Sequence, residues 1–483
     1  MGTEPKIVIY SITGCPHCVA AKNSLQENGL TYVDVGVDRF PPNVREWVAK
    51  RTGKTSVPQI FFNSTYVGGN LELNKAFSNP ERKAELLKVL EEEENTEERP
   101  LLPHPSEAEG VSDVLHGDVS CEKEENVDLI NQAKEQGVFK TNKRGLFCGS
   151  VPDSATGSEL VSFLVQSKGL EEQEAVETLK QILEKNLILS VENKEIFEPD
   201  SSLYRFGLSY LSGLNTEYPP ECVSPPADQA AQDIRKVVLK LFADFLSPDG
   251  KYVDYKGMAS SSLWEKFKLL VSQLQRVDVS TLSEDEKLAF FINIYNVLVI
   301  HVTVERGVPG SLYQRYKFFS SVSYVIGGFL YSLNDIENGI LRSNRQSMGT
   351  LYRKPFKSGD PRLKISLAHV DPRIHFALNC GAKSCPPIKT FSGDQVQDQL
   401  QVATSSFLES DDAVVVNTDT GIINLSQLFN WYSVDFGDSP RDILTWITER
   451  ASGEKKAQLS ELLEKDNYKI VYLTYDWGNN EKK

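Results

Sequence analysis

The chain has 483 residues, a net charge of −15, 40% hydrophobic and 25% charged residues, and seven cysteines. That length accommodates about three domains of ordinary size, and the composition is that of a soluble globular protein, not a disulfide scaffold or a membrane bundle. Residues 91–126 hold 13 acidic and 2 basic residues, so −11 of the −15 lies in one segment; no basic stripe faces phosphates, and nucleic acid is excluded as a partner.

In chain order, Lys6–Ile12 is β-branched and aromatic and reads as a buried strand broken at Thr13-Gly14. Cys15-Pro16-His17-Cys18 follows, with Pro16 suited to the first turn of a helix. A cysteine at a helix N-terminus is favoured as a thiolate by the dipole and the free N–H groups. We therefore assign Cys15 as the attacking thiol and Cys18 as the resolving one. Half a zinc site or a pair of core thiols is the alternative. No second Cys pair lies nearby, and a strand-to-helix turn is not a core position. The helix runs to about residue 28, before Gly29; a strand TYVDVGV, a helix ending near Gly53, the strands SVPQIFF and TYVGG, and a last helix complete an alternating pattern.

This segment resembles a dithiol glutaredoxin through KIVIYS, CPHC, Ala21-Lys22, Thr52-Gly53, Ser56-Val57-Pro58-Gln59 and Gly68-Gly69. The resemblance implies a thioredoxin-like fold, a cis bond before Pro58, and a glutathione groove formed by Val57, Pro58, Gly69 and Asn70. Two positions depart from the family's pattern: Ile12 stands where a lysine is usual, and Leu71, then Glu72, follow the glycine pair where an aspartate is usual. Each loss removes a charge-assisted contact of roughly 1.5–3 kcal/mol. Lys6, Lys22 and Arg51 are the candidate substitutes.

Residues 94–126 lack an apolar period and read as a disordered acidic linker carrying Cys121. Residues 127–210 give an amphipathic helix, a strand or hairpin arm at KRGLFCGS, a capping box at Thr156–Glu159, and a helix through LEEQEAVETLKQILEKN. LILSV and EIFEP then flank a turn at Asn193-Lys194. Three helices and a hairpin make a winged-helix plan. The segment resembles a DEP domain through Gly157-Ser158-Glu159-Leu160-Val161 and Tyr204-Arg205-Phe206. That resemblance implies docking to a receptor tail or to an anionic membrane surface, with Lys140, Lys143 and Arg144 as the basic contacts. Residues 211–229, with Cys222, read as a proline-rich linker.

Residues 230–478 form the largest unit, mixed and helix-rich. A long helix covers about 230–246, and Ser283–Glu286 caps an apolar helix too polar and too short for a membrane span. Asn293 and Asn296 share one face of it, and His301 lies further along. Asp371-Pro372 opens a short helix that would carry His375 and Asn379 on one face, followed by Cys380 and Cys385. Cysteine, histidine and asparagine together invite a thiol-hydrolase reading, with Cys380 or Cys385 as nucleophile and His375 as base. A buried network in which Asn293, Asn296 and His375 bond backbone groups is the alternative. The unit resembles the domain-of-unknown-function family 547 through FFINIYNVLVIH, SLNDIENGILR, DPRIHFALNCGAKSCPP and the final YDW.

The expected fold class is thus multidomain α/β and α+β: a thioredoxin-like glutaredoxin domain (1–93), a linker (94–126), a winged-helix DEP domain (127–210), a second linker (211–229) and a helix-rich mixed α+β domain (230–478). The expected function is glutathione-dependent thiol–disulfide oxidoreduction coupled to a DEP signalling or targeting module. The alternatives are a non-catalytic adaptor with a degenerate glutathione site and a Cys-His hydrolase-like C-terminal domain. Glutathione is the expected co-substrate, protein disulfides the partners, and no metal is expected. Cysteine usage and a polar opening stretch place the protein in the cytoplasm, peripheral to membranes where the DEP module docks.

Overall fold

The computed structural model describes residues 6–12, 16–37, 40, 42–54, 56–91, 99–103, 122–143, 149–206, 211–218, 222–247, 252–307, 309, 312–346, 353–382, 391–478 and 481. The N-terminal domain runs β1 (Ile7–Ser11), α1 (Pro16–Glu27), β2 (Val33–Gly36), α2 (Pro42–Thr52), β3 (Gln59–Phe62), β4 (Thr65–Gly68), α3 (Asn70–Ser78) and α4 (Pro80–Val89). Its sheet has the order β2-β1-β3-β4, with β1 parallel to β2 and antiparallel to β3. All five residues of β1 are buried, because helices cover both faces. Ile7 and Ile9 pack with Ala21, Leu25, Phe62 and Leu73, whereas Val8 and Tyr10 pack with Val44, Val48 and Phe61.

Part of the expected acidic linker belongs to this core. Leu101 packs on the face made by Val8, Tyr10 and Phe61, and Tyr10 Oη donates to the Leu101 carbonyl at 2.8 Å. The charge of the surrounding window hides Pro100-Leu101-Leu102-Pro103, whose prolines pre-set an extended course for the apolar residues between them. Most of 94–126, Cys121 included, lies outside the described residues.

The middle domain comprises α5 (Val127–Glu135), β5 (Lys140–Lys143), β6 (Ser150–Thr156), α6 (Gly157–Lys168), α7 (Glu172–Glu184), β7 (Ile188–Ser190) and β8 (Leu203–Phe206). Its strands form one antiparallel sheet, β5-β6-β8-β7, and its three helices enclose Ile130, Leu160, Leu164, Leu179, Ile182 and Tyr204. The expected capping box is present: Thr156 Oγ1 accepts from Glu159 N, and the Glu159 carboxylate accepts from Thr156 N. The hairpin differs from expectation. The partner of β7 is β8, with Ile188 opposite Phe206, and the EIFEP stretch is the connecting loop. Pro199 lacks a ladder donor, and Phe197 is instead drawn into the core against Tyr204, ring centroids 4.7 Å apart.

The C-terminal unit contains α8 (Ala227–Phe245), α9 (Tyr255–Ala259), α10 (Ser262–Gln273), α11 (Glu284–Arg306), α12 (Leu312–Ser321), β9 (Ser323–Ile326), β10 (Phe329–Ser332), α13 (Val396–Glu409), β11 (Val414–Asn417), β12 (Ile422–Leu425), α14 (Gln427–Trp431), α15 (Ser433–Phe436), α16 (Pro440–Arg450), α17 (Gly453–Lys465) and β13 (Lys469–Tyr472). A π-helical turn spans Asp335–Leu341 and a 3₁₀ turn spans Pro372–Phe376. The helix α11 is long and apolar enough by composition to cross a membrane, yet here every residue from Leu288 to Thr303 is buried inside the domain. The segment before α8 is docked as well: Asn215 donates to the Val271 and Val325 carbonyls at 3.0 and 2.9 Å and accepts from Val325 N at 2.8 Å. Cys222 is disulfide-bonded, to a partner outside the described residues.

Candidate active site

The strand β1 ends at Ser11 and the helix α1 begins at Pro16; Cys15 lies in the interval outside the described residues. Cys18 is in the first turn of α1, 1% exposed, on the face that also carries the core residues Ala21 and Leu25. His17, one residue before it, is exposed. The Val57–Pro58 peptide is cis. A Cβ added to Gly69 would lie 3.3 Å from the Pro58 carbonyl oxygen, so the glycine pair and the proline loop form adjoining walls. Gly68 has φ +122°, and a Cβ there would meet Glu72 Cβ at 2.6 Å. Asn70 is the first residue of α3, its Oδ1 accepting from Asn74 Nδ2 at 3.1 Å. Gly69 and Pro58 are therefore close neighbours, Pro58 buried and Val57, Gly69 and Asn70 half-buried around it.

Glu72 takes part in this stretch in a way the sequence does not reveal. Its carboxylate accepts from Gly69 N at 2.9 Å and pairs with Lys54 Nζ at 3.8 Å. Burial raises the Glu72 carboxyl pKa, but the N–H groups of its own residue and Gly69, with Lys54, outweigh that and hold it below the ordinary value. Of the substitutes considered for the missing lysine, Lys22 is committed to Asp34 at 2.6 Å, and Asp34 also accepts from Ser11 Oγ. Lys6 donates to the Leu90 carbonyl at the start of β1. That is the wrong end of the strand, roughly 16 Å from the cysteine loop at 3.3 Å per residue. Arg51 is exposed in the last turn of α2. Leu71 is 66% exposed beside the glycine pair.

In the C-terminal unit the predicted residues separate into two roles. Asn293 Nδ2 donates to the Phe391 carbonyl at 2.7 Å and its Oδ1 accepts from Phe391 N at 3.2 Å. Asn296 does the same one turn later, to the Ala377 carbonyl at 3.0 Å and from Asn379 N at 2.8 Å. Both clamp backbone against α11. The short helix ends before Ala377, so His375 and Asn379 do not share a helical face as expected. His375 is buried, stacked on Tyr432 with ring centroids 3.8 Å apart, and its Nε2 lies 2.8 Å from Asp435 Oδ2. Burial pushes the His375 pKa down against the pull of Asp435, leaving a neutral ring that donates from Nε2. Cys380 Sγ instead lies 3.6 Å from Tyr475 Oη, and Cys385 lies outside the described residues. Sequence reading missed Asp435, the centre of this cluster: it also accepts from Arg342 Nε and Nη2 at 2.6 and 3.0 Å and from Arg345 Nη1 at 2.6 Å. Burial raises the Asp435 carboxyl, but the bonds from His375 and Arg342 outweigh it and hold the group well below the usual carboxylate range. Nearby, Glu337 accepts from Tyr432 and Tyr295 at 2.8 and 3.1 Å.

The basic contacts proposed on the middle domain are also partly committed. Lys140 pairs with Glu159 at 2.5 Å, Lys143 is exposed on β5, and Arg144 lies outside the described residues.

A thioredoxin-like sheet, a buried cysteine in the first turn of α1, a cis-proline and an adjoining glycine pair define a thiol–disulfide redox domain. A glutaredoxin family model matches residues 7–67. A glutaredoxin of Pseudomonas aeruginosa is 40% identical over 65 residues, 14% of this chain and 76% of that protein. Glutaredoxin 1 of Rickettsia conorii is 34% identical over 91 residues, 19% of this chain and 85% of that one; glutaredoxin 3 of Escherichia coli is 36% identical over 63 residues, 13% and 75%. Through its N-terminal domain, the chain belongs to the glutaredoxin family. The model of the domain found in Dishevelled, Egl-10 and Pleckstrin matches residues 138–206, and that of a protein family of unknown function, DUF547, matches residues 279–408. The three modules follow one another in the order read from the sequence.

Proposed function

We propose that this protein is a glutathione-dependent thiol–disulfide oxidoreductase whose DEP module directs where the chemistry occurs. The reading rests above all on the cis Val57–Pro58 peptide abutting Gly69, in the same domain as Cys18 in the first turn of α1. In the reaction, the Cys15 thiolate attacks the glutathionyl sulfur of a mixed disulfide, and the target thiolate leaves. A second glutathione then attacks the Cys15-bound sulfur and departs as oxidised glutathione, or Cys18 attacks Cys15 and releases glutathione intramolecularly. Val57, Pro58, Gly69 and Asn70 hold the peptide-like glutathione moiety through backbone groups and close approach. We further propose a cytoplasmic location, peripheral to anionic membranes or receptor tails. The weak pull of a few basic residues, about 1 kcal/mol each near an anionic surface, makes that attachment reversible.

The test is glutathione-dependent reduction of a small mixed disulfide by the full chain, with Cys15→Ser and Cys18→Ser alongside. Turnover abolished in the first and largely retained in the second supports the proposal. A folded protein without turnover at any glutathione concentration refutes it and favours an adaptor role.

A further inference from the structure

We infer that the C-terminal unit is a built-in partner of the DEP module: it holds the module by its β7 edge, so that the two act as one body and the opposite edge, β5, is the one left to an outside partner. The inference is independent of the redox chemistry proposed above. In the sheet order β5-β6-β8-β7 the two outer strands are β5 and β7. On the β7 side, α7 ends at Lys185, whose carbonyl accepts from Arg276 Nε at 3.2 Å, a cation set where the helix dipole favours one. Glu124, in the chain entering the module, completes the contact. Its carboxylate takes Lys185 Nζ at 2.6 Å and Arg276 Nη2 at 3.1 Å. The side chains of Glu124 and Arg276 are 4% and 3% exposed, so removing one strands a desolvated charge on the other. The residues around Arg276 also hold the turn between β9 and β10: Gly327 N donates to the Leu274 carbonyl at 3.0 Å and Gly328 N to the Gln275 carbonyl at 2.9 Å. That turn lies flush on the DEP module. A Cβ at Gly328 would meet Leu189 Cδ2, in β7, at 2.8 Å and Asn186 Oδ1 at 3.3 Å. Lys364 pairs with Glu195 at the exposed rim, and Val223 N donates to the Glu122 carbonyl at 2.7 Å.

The seam is a docking of two finished cores. Ile130, Leu160, Leu179 and Tyr204 belong to the DEP core, while residues of α8, α10 and α11 build a separate one. Between them stand ion pairs, a glycine turn and a short backbone pairing, the polar make-up of an interface between domains. This arrangement decides which side of the module is available. A ligand reaching the β7 edge must displace Arg276 and the Gly327-Gly328 turn. The β5 edge, at the far side of the sheet, presents Lys140, Thr141 and Lys143 exposed and can meet an outside surface with the seam intact. The unit whose family carries no assigned activity thereby gains a role, which is to orient the DEP module.

The experiment uses the full chain with a protease site placed in residues 207–210 and cut after folding. A reductant is present throughout, so that the Cys222 disulfide contributes nothing. The expected result is that the two wild-type fragments stay together on a sizing column. Arg276→Met, in the C-terminal unit, and Leu189→Glu, in the DEP module, should each make them separate at least about tenfold faster. Hydrogen exchange at 185–190, 274–277 and 327–330 should rise in both variants, and Lys143→Glu, on the β5 edge, should change neither readout. Circular dichroism of the separated fragments checks that each is folded; the two variants lie on opposite sides of the seam, so misfolding of one fragment leaves the other variant as the test. Wild-type fragments that separate at once overturn the inference. So does association unchanged in both seam variants, since the fragments are then held elsewhere, or a Lys143→Glu effect as large as theirs.

Discussion

Replacing Asp435 by asparagine keeps the shape of the side chain and removes its charge. The carboxylate is fully buried and accepts two bonds from Arg342, itself 3% exposed, one from His375 and one from the half-exposed Arg345. Without the charge, Arg342 keeps only neutral acceptors: the amide oxygen of the new side chain, Asn338 Oδ1 at 2.6 Å and the Gln346 carbonyl at 3.3 Å. Charge-assisted bonds at roughly 1.5–3 kcal/mol each would sum higher, but the Arg345 contact is screened and counts for little. Stranding one partner of a buried pair costs about 3–5 kcal/mol. In a domain of this size each kcal/mol moves Tm by about 2–4 °C, so the C-terminal transition should fall by roughly 6–20 °C. Calorimetry of the full chain, with hydrogen exchange at 372–377 and 427–436 to assign the transition, measures it. The opposite sign is informative: clustered charges held for catalysis are often destabilising, and their removal then raises stability. A C-terminal transition unchanged or raised in Asp435→Asn would refute the structural reading of the cluster and revive a catalytic one.

Further outcomes follow from individual residues. His301 is buried beside Tyr324 at 2.6 Å, and burial, with the charges of Lys268 and Arg306, pushes its pKa down to about 3. It stays neutral when folded, while the unfolded chain takes up a proton near pH 6.5. Its contribution is therefore intact above about pH 6.5 and is lost as pH falls toward 3, by about 2 kcal/mol at pH 5; urea midpoints against pH, flattened in His301→Gln, check this. Leu101→Ala should destabilise the N-terminal domain by about 1–2 kcal/mol and Tyr10→Phe by about 1 kcal/mol, read from its thermal transition. Gly68→Ala forces a Cβ against Glu72 at a φ that L residues avoid, and should raise the KM for glutathione several-fold while Cys18 remains buried.

What the sequence discloses is what short-range physics writes into it. The β1–CPHC–α1 stretch is legible because a run of β-branched residues, a Thr-Gly break and a proline at the helix start are local signals. The boxes at Thr156–Glu159 and Ser283–Glu286 are legible for the same reason, each closing over three residues. Asp435 is invisible in SVDFGD, because its partners Arg342 and His375 lie 93 and 60 positions away and share no period with it. Glu124, whose partner Arg276 is 152 positions distant, is hidden within the most acidic segment of the chain. The strap at Leu101 is masked by its neighbours' charge, and Asn215 by the prolines that follow it. Where a polar residue is buried, its reason lies in tertiary partners, and composition in its window points the other way.

The altered glutathione contacts carry one more consequence. An aspartate after the glycine pair would leave the first N–H groups of α3 open to a ligand carboxylate. Here Glu72 reaches back and occupies the Gly69 N–H, with Lys54 drawn to the same carboxylate. The Gly69 N–H and Lys54 are thus both engaged within the chain, and a ligand carboxylate must displace Glu72 to reach them. Backbone pairing beside Pro58 is untouched by that competition. On the proposed function, ligands that present an extended backbone should compete better there than those that rely on terminal carboxylates, and Glu72→Gln should narrow that difference in competition assays.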